Sequence, residues 1–315
     1  MKTERLLSIL QGIMAQPTAP FYEDAVRTEI LLQLAQCPHV KTTIDSFGNV
    51  IAQYRTGQAV PELLFSAHMD HPGYVGEEFL GGVPDSYLAT NAPRRSFGAF
   101  SMWDLPTFKF EDGLVHSRAC DDLIGCSVMV AMFHELERLG VSGSVMAVFT
   151  CAEEVGLLGA VHLAKSGSLP AGIKIISLET SSERPPAKMG DGVIIRVGDR
   201  TSVFEATLTS ALVEAASVAE IPFQRCLMSG GTCEATAYGL YGYPVGGMCV
   251  ALGNYHNCAP DGFIRAEYVS FTDVECMLRL CVAATIECTS GAHESRLRKR
   301  LEQLLEESMC RIRAF

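Results

Sequence analysis

The sequence predicts an α/β fold with a mixed, mainly parallel central sheet flanked by helices. Three observations predict it. Apolar runs of strand length at residues 63–67, 145–150, 173–178 and 245–252 are continuous rather than alternating, as expected for strands buried on both faces. Segments of helical length lie between them, above all residues 123–139, which are apolar almost all round and so deeply buried. Glycine is frequent, 28 of 315 residues, which suits many tight turns between alternating strands and helices.

Taken in order, residues 6–14 have a helical period that Pro17 ends, and a second helix is expected over 23–36, with Val26, Ile30, Leu31 and Leu34 on one side. Residues 40–45 and 50–54 alternate like strands around the turn Phe47-Gly48-Asn49. Strand 63–67 runs into His68-Met69-Asp70. From Gly76 to Glu111 the texture changes to glycines, prolines and aromatics with no long amphipathic helix, which reads as a small inserted β-rich subdomain. Residues 113–119 restore regularity, and Cys120-Asp121-Asp122 precede the buried helix. Strand 145–150 drives into Ala152-Glu153-Glu154-Val155-Gly156, followed by a helix at 157–165. Strand 173–178 ends in Glu179-Thr180. Strand 193–197, a helix over 203–220 closed by Pro222, and strand 223–227 come next, and Ser229-Gly230-Gly231-Thr232 opens a short helix. Strand 245–252 leads to His256, and a helix over 267–286 closes the core. The tail, 293–313, is a polar helix with Leu297, Leu301, Leu304, Leu305 and Met309 on one stripe, suited to packing on the parent domain or to homo-oligomerisation. The expected division is a discontinuous main domain at 1–75 and 112–292, the insert at 76–111 and a C-terminal helix at 293–315.

A net charge of −11 argues against nucleic acid and anionic membrane as partners, since both require a basic face. The first residues are too polar for the core of a signal peptide, and no apolar run approaches membrane-spanning length. The twelve cysteines show no C-x-x-C pair and read as small buried hydrophobes of a cytoplasmic, reducing environment. In an open α/β sheet, ligands gather beyond the carboxyl ends of the strands. His68 with Asp70, Asp121 with Asp122, Glu153 with Glu154, Glu179, and His256 all fall at such ends. Carboxylates focused on one edge repel unless cations neutralise them. An imidazole and carboxylate shell without a thiolate pair suits Zn²⁺ first, with Co²⁺ or Mn²⁺ compatible. Two ions need terminal ligands, one bridging carboxylate and an unbound acid to take a water proton. Seven of these side chains meet that demand, leaving Asp122 to cap the following helix.

The order and wording of these pieces resemble the co-catalytic dinuclear metalloaminopeptidases of the glutamyl-aminopeptidase, or tetrahedral-aminopeptidase, family, with its zinc-peptidase-like sheet. The matching pieces are Ala67-His68-Met69-Asp70 with Gly73-Tyr74-Val75, Ala119-Cys120-Asp121-Asp122 with Gly125, Ala152-Glu153-Glu154-Val155-Gly156, Ser229-Gly230-Gly231-Thr232, and Tyr255-His256. The N-terminal helices and Asp45-Ser46-Phe47-Gly48-Asn49-Val50 also look like the family's opening. The resemblance implies that His68 and Glu179 bind one metal, Glu154 and His256 the other, and that Asp121 bridges them. It implies Glu153 as general base and acid, Asp70 as the carboxylate behind His68, and a cis peptide after Asp121. The chain departs from the family in its short insert, in Glu rather than Asp at 179, and in Cys233-Glu234 where the family carries an Asp. The larger insert of the family helps to build its dodecamer.

The implied activity is hydrolysis of N-terminal residues from a peptide or small amide by a two-metal-activated water. The related co-catalytic carboxypeptidases and N-deacylases are the alternative within enzymes, but they carry a lid domain between the equivalents of Glu179 and His256, which here are separated by only 77 positions (256 − 179). A non-catalytic binding relic is the alternative outside enzymes, and the complete ligand set argues against it. Arg94, Arg95 and the surroundings of Gly231 are the candidates for tuning the first substrate side chain.

Overall fold

The computed structural model describes residues 1–57, 59–289 and 296–312. Two helices open the chain, α1 (Thr3–Met14) and α2 (Asp24–Leu34), burying Leu6, Ile9, Leu10 and Ile13 on one and Val26, Ile30 and Leu34 on the other. Strands β1 (Val40–Ile44) and β2 (Val50–Arg55) form a hairpin. Its turn is organised by the Asp45 carboxylate, which accepts N–H bonds from Phe47, Gly48 and Asn49, while Gly48 takes a φ of +106° that favours glycine. Then follow β3 (Leu63–His68), β4 (Gly73–Val75), β5 (Glu78–Leu80), the single-turn α3 (Asp85–Leu88), β6 (Arg94–Ser96), β7 (Phe100–Trp103), β8 (Lys109–Glu111) and β9 (Leu114–Ser117). The chain continues through α4 (Leu123–Leu139), β10 (Ser144–Thr150), α5 (Leu158–Ser166), β11 (Lys174–Ser182), β12 (Val193–Gly198), α6 (Ala206–Val218), β13 (Phe223–Leu227), α7 (Glu234–Leu240) and β14 (Val245–Gly253). A 3₁₀ turn at Tyr255–Asn257, β15 (Glu267–Ser270), α8 (Phe271–Thr289) and α9 (Arg296–Ile312) complete it.

Among the described residues one large sheet has the order β1-β2-β10-β3-β11-β14-β15-β9-β8, with β12 on β14 and β13 on β12. Its centre, β10-β3-β11-β14, is parallel, and the strands outside it pair antiparallel except for β13, which runs parallel to β12. The fold class expected from sequence is therefore present. Alternation along the central strands feeds both faces. Phe65, Ala147, Phe149 and Ile176 face a core shared with α1, α4 and α8, while Leu64, Met146, Val148 and Ile175 face a second core under α5 and α7. A four-stranded sheet of order β5-β4-β7-β6 stands beside it and takes β4 from before Gly76, whereas β8 belongs to the large sheet.

Three expectations change in detail. Residues 267–270 are a strand rather than the first turn of the closing helix, because Glu267–Ser270 pairs antiparallel with β9 and also meets β14. β11 runs on to Ser182, so Glu179 lies inside a strand and not at its end. The apolar stripe of α9 does not lie against the parent domain: Leu301, Leu304, Leu305 and Met309 are exposed. The side chain of Leu297 lies outside those described. The described cysteines are free and, except for Cys258, buried. None of the described helices is long and apolar enough to cross a membrane.

Candidate metal centre

Register explains why separate chain segments deliver their side chains to one point. Parallel pairing sets Thr150 of β10 beside His68 of β3, so both strands end level. β11 pairs with β3 only as far as Ser177 opposite Ser66, and two residues on, where pairing has stopped, Glu179 and His68 meet across the opened gap. Asp121 enters from the β9–α4 connection, whose Asp121–Asp122 peptide is cis. Asp122 itself caps α4, accepting the Gly125 N–H at 3.1 Å. His256 comes from the 3₁₀ turn after β14 with a φ of 51°.

The side chains form two buried triads, His68 with Glu153 and Glu179, and Asp121 with Glu154 and His256. Asp121 faces both histidines: its Oδ1 is 3.4 Å from His68 Nε2 and its Oδ2 is 3.4 Å from His256 Nε2. Glu154 Oε1 lies 3.1 Å from His256 Nε2, while Glu153 and Glu179 each reach 4.0 Å from His68 Nε2. Each histidine is turned by a bond at its other nitrogen. His68 Nδ1 donates to the Asp70 carbonyl at 3.1 Å and His256 Nδ1 to the Gly82 carbonyl at 2.9 Å, so both Nε2 atoms face the carboxylates. The Asp70 carboxylate sits 3.6 Å behind His68, and its two oxygens accept the N–H groups of Glu153 and Glu154 at 3.0 and 3.1 Å.

Four buried acids and two histidines without a counter-charge distort one another's titration. Burial pushes the Glu153 carboxyl well up, and the charges of Glu179, Glu154 and Asp70 add to it. Burial likewise pushes Glu179 up to about 8. Burial also works against an ionised Asp121, yet the two histidines hold it well below the usual carboxylate range. Both histidines are raised well above their ordinary value by the acids, against the opposing effect of burial. Asp121 Oδ1, Glu154 Oε1 and His256 Nε2 are buried with no hydrogen-bond partner. Buried lone pairs aimed at a common point with no donor to meet them are costly, and cations at that point satisfy them. The donor set fits two divalent ions.

Four further side chains hold this frame, of which the sequence reading had noted only Glu234. Glu267, fully buried, accepts the N–H groups of Cys120 at 2.7 Å, Asp121 at 3.1 Å and His256 at 2.8 Å, tying the loops of both triads together. His71 bonds the Asp121 carbonyl at 2.7 Å and Asn257 at 3.2 Å. Glu23 accepts the Ala152 N–H at 3.0 Å, just before the paired glutamates. Glu234, at the Cys233-Glu234 departure, accepts from Ser66 at 2.8 Å and from Thr150, under the ends of β3 and β10. The available signal was a lone acid at the head of an apolar segment, as in Ala266-Glu267-Tyr268-Val269. The insert also reaches the site, through Gly82 and through a 2.6 Å bond from the Tyr87 hydroxyl to the Ala259 carbonyl. Asp121, Glu153 and Glu179 line a cleft that extends past Thr180, Gly231 and Cys233.

Comparison with known proteins agrees with the fold. The sequence profile of the M42 glutamyl aminopeptidases matches residues 94–274. A curated protein of Acetivibrio thermocellus, whose name gives it a provisional aminopeptidase assignment, is 28% identical over 176 residues, covering 54% of this chain and 51% of its own. The chain thus matches about half the length of that relative. Among solved structures, an aminopeptidase of Desulfurococcus kamchatkensis superposes with a TM-score of 0.75 at 21% identity, covering 91% of this chain and 96% of its own. The TET1 peptidase of Pyrococcus horikoshii, which can assemble into a tetrahedron or a large octahedral shell, superposes with a TM-score of 0.73 at 20% identity, over 90% of this chain and 99% of its own. At these identities the superpositions establish the fold.

Proposed function

The chain belongs to the M42 glutamyl aminopeptidase family, and from that premise we propose that it is a metal-dependent aminopeptidase releasing N-terminal residues from peptides or small amides. The observation that carries the reading is the shared carboxylate, Asp121, with one oxygen 3.4 Å from each of two histidines. In this reading His68 and Glu179 would hold one ion, Glu154 and His256 the other, and Asp121 would serve both. Bound there, two divalent ions supply Lewis-acid polarisation of the scissile carbonyl and an activated water. Glu153, the acid left over at the cleft, takes the proton of the attacking water and delivers it to the departing amine. Asp70 positions Glu153 through the backbone bond and backs His68. Imidazole and carboxylate donors without thiolate favour Zn²⁺, with Co²⁺ and Mn²⁺ compatible.

The exposed stripe of Leu301, Leu304, Leu305 and Met309 on α9 supports self-association, since apolar side chains in a row are rarely left to water. The assembly of the Pyrococcus horikoshii neighbour makes a homo-oligomer the natural reading. The test of the activity is a panel of aminoacyl p-nitroanilides with added Zn²⁺, Co²⁺ or Mn²⁺, run beside N-acyl amino acids. Release of p-nitroaniline only from substrates with a free amine is expected. Hydrolysis restricted to the N-acyl compounds, or none with metal present, would overturn the reading.

A further inference from the structure

No side chain of α9 from Arg298 to Glu307 is buried, on any face of the helix. At the middle of its apolar stripe, Leu301 and Leu305 are 56 and 57% exposed. A helix of 17 residues is marginal in water unless its apolar face packs on something. Contacts within it, Arg298 to Glu302 at 3.0 Å and Gln303 to Glu307 at 2.8 Å, support it only weakly, as such i,i+4 pairs do. Its sequence carries the seam of a two-helix coil. Leu301 and Leu304 take the a and d places of a heptad, and Ser308 takes the next a. Arg300 and Glu307 then occupy the g places on one flank of the seam, and Arg298 and Leu305 the e places on the other.

The order of these charges selects the occupant. When two such helices pair antiparallel, g places meet g places, so Arg300 of each copy faces Glu307 of the other, twice over by the two-fold symmetry. The same alignment sets Leu301 of each copy against Leu304 of the other. In a parallel pair g meets e, which sets Arg300 against Leu305 and forms no ion pair on that flank. The helix is thus its own electrostatic complement only when reversed. We propose that α9 is a dimerisation helix that pairs antiparallel with α9 of a second copy of this chain. This rests on the self-association read above from the exposed stripe, and adds the helix, its orientation and the charged pair that fixes it. A helix of this length spans about 25 Å. Such a contact is smaller than the standard interface of about 1,600 Å², so the pairing is reversible and depends on concentration.

Sedimentation equilibrium of the whole chain, over about 1–100 µM, reads the association constant and the mass of each species. Wild type is expected to shift to a species of doubled mass within that range. Leu301→Gln combined with Leu305→Gln should weaken that step by about tenfold or more, at exposed positions that leave the domain folded. Glu307→Arg sets arginine against arginine at both symmetric contacts and should weaken it about tenfold, and adding Arg300→Glu should restore it. Arginine in the later half of the helix and glutamate in the earlier half suit its dipole, so circular dichroism should show no loss of helix in either variant. A wild type that stays a single monomeric species throughout overturns the self-association reading together with the pairing. An association that survives the two leucine changes strikes the pairing alone and leaves self-association to another face. An association that Glu307→Arg leaves unchanged, or that the double exchange fails to restore, overturns the antiparallel arrangement.

Discussion

Replacing Glu267 with glutamine removes one hydrogen bond that nothing nearby can supply. One carboxylate oxygen serves the Cys120 and Asp121 N–H groups and the other serves His256. In the variant the amide oxygen keeps the first two, and the NH₂ group then opposes the His256 N–H, donor against donor. A hydrogen bond to a charged group contributes about 1.5–3 kcal/mol, and a buried donor left unmet costs about 1–3 kcal/mol more, giving roughly 2.5–6 kcal/mol. A domain is stable by only about 5–15 kcal/mol, so the variant folds with much of its margin gone. Urea unfolding of the metal-free protein at pH 8 measures it, above the value of about 7 to which burial pushes Glu267, so that the wild-type carboxylate is ionised. Because His256 is held in a left-handed backbone by this bond, Zn²⁺ affinity should also fall by about 10–100-fold, the usual cost of losing a group that orients a ligand. An unfolding free energy within about 1 kcal/mol of wild type, with unchanged Zn²⁺ affinity, would refute the reasoning.

Glu153→Gln should retain fold and metal content while lowering kcat by about 10²–10⁴-fold, the range for a lost general base; undiminished kcat in metal-replete enzyme removes that role. Elemental analysis of protein dialysed against Zn²⁺ should give two ions per chain, and excess EDTA should lower Tm, because an ion held at 100 times its Kd stabilises the fold by about 2.7 kcal/mol. Glu23 gives a pH test outside the ligand set: burial, with the charge of Asp70 adding, pushes its carboxyl from 4.5 to about 7. A raised folded value stabilises below the unfolded one and is lost as pH rises through about 7. Glu23→Gln keeps both acceptor bonds to Phe21 and Ala152 through its amide oxygen. Its stability in EDTA should therefore gain on wild type by something on the order of 3 kcal/mol between pH 5 and 8, and a constant difference across that range would contradict the buried titration.

The parts of this molecule legible in sequence are those governed by local pattern. Continuous apolar strands ending in acids, and a helix apolar all round, carry their meaning in neighbouring residues, so β3, β10, α4 and the side chains they deliver could be read directly. Glu267 could not, because its partners lie about 11 and 147 residues away and its segment differs from a helix only through pairing with β9 and β14. The α9 stripe was legible as amphipathic, but periodicity says only that one face is apolar and not what covers it.

The division between Glu153 and Glu154 follows from backbone geometry rather than from the side chains. Ala152 takes a left-handed φ of 54° with its N–H on Glu23, and Asp70 then grips the next two N–H groups with one oxygen each. The turn therefore sends adjacent carboxylates to opposite triads, Glu154 toward His256 and Glu153 toward His68. Charge explains why the arrangement calls for two ions. The inner ring holds four carboxylates, Asp121, Glu153, Glu154 and Glu179, between two imidazoles. Two divalent cations balance four ionised carboxylates, whereas one leaves two negative charges buried together. The outer acids do not add to this demand, because Asp70, Glu234 and Glu267 spend their oxygens on N–H and O–H donors. Within the inner ring the buried oxygens without a hydrogen-bond partner are Asp121 Oδ1, which faces His68, and Glu154 Oε1, which faces His256. Glu153 lines the cleft with its N–H held by Asp70, which supports the proton-carrying role proposed for it.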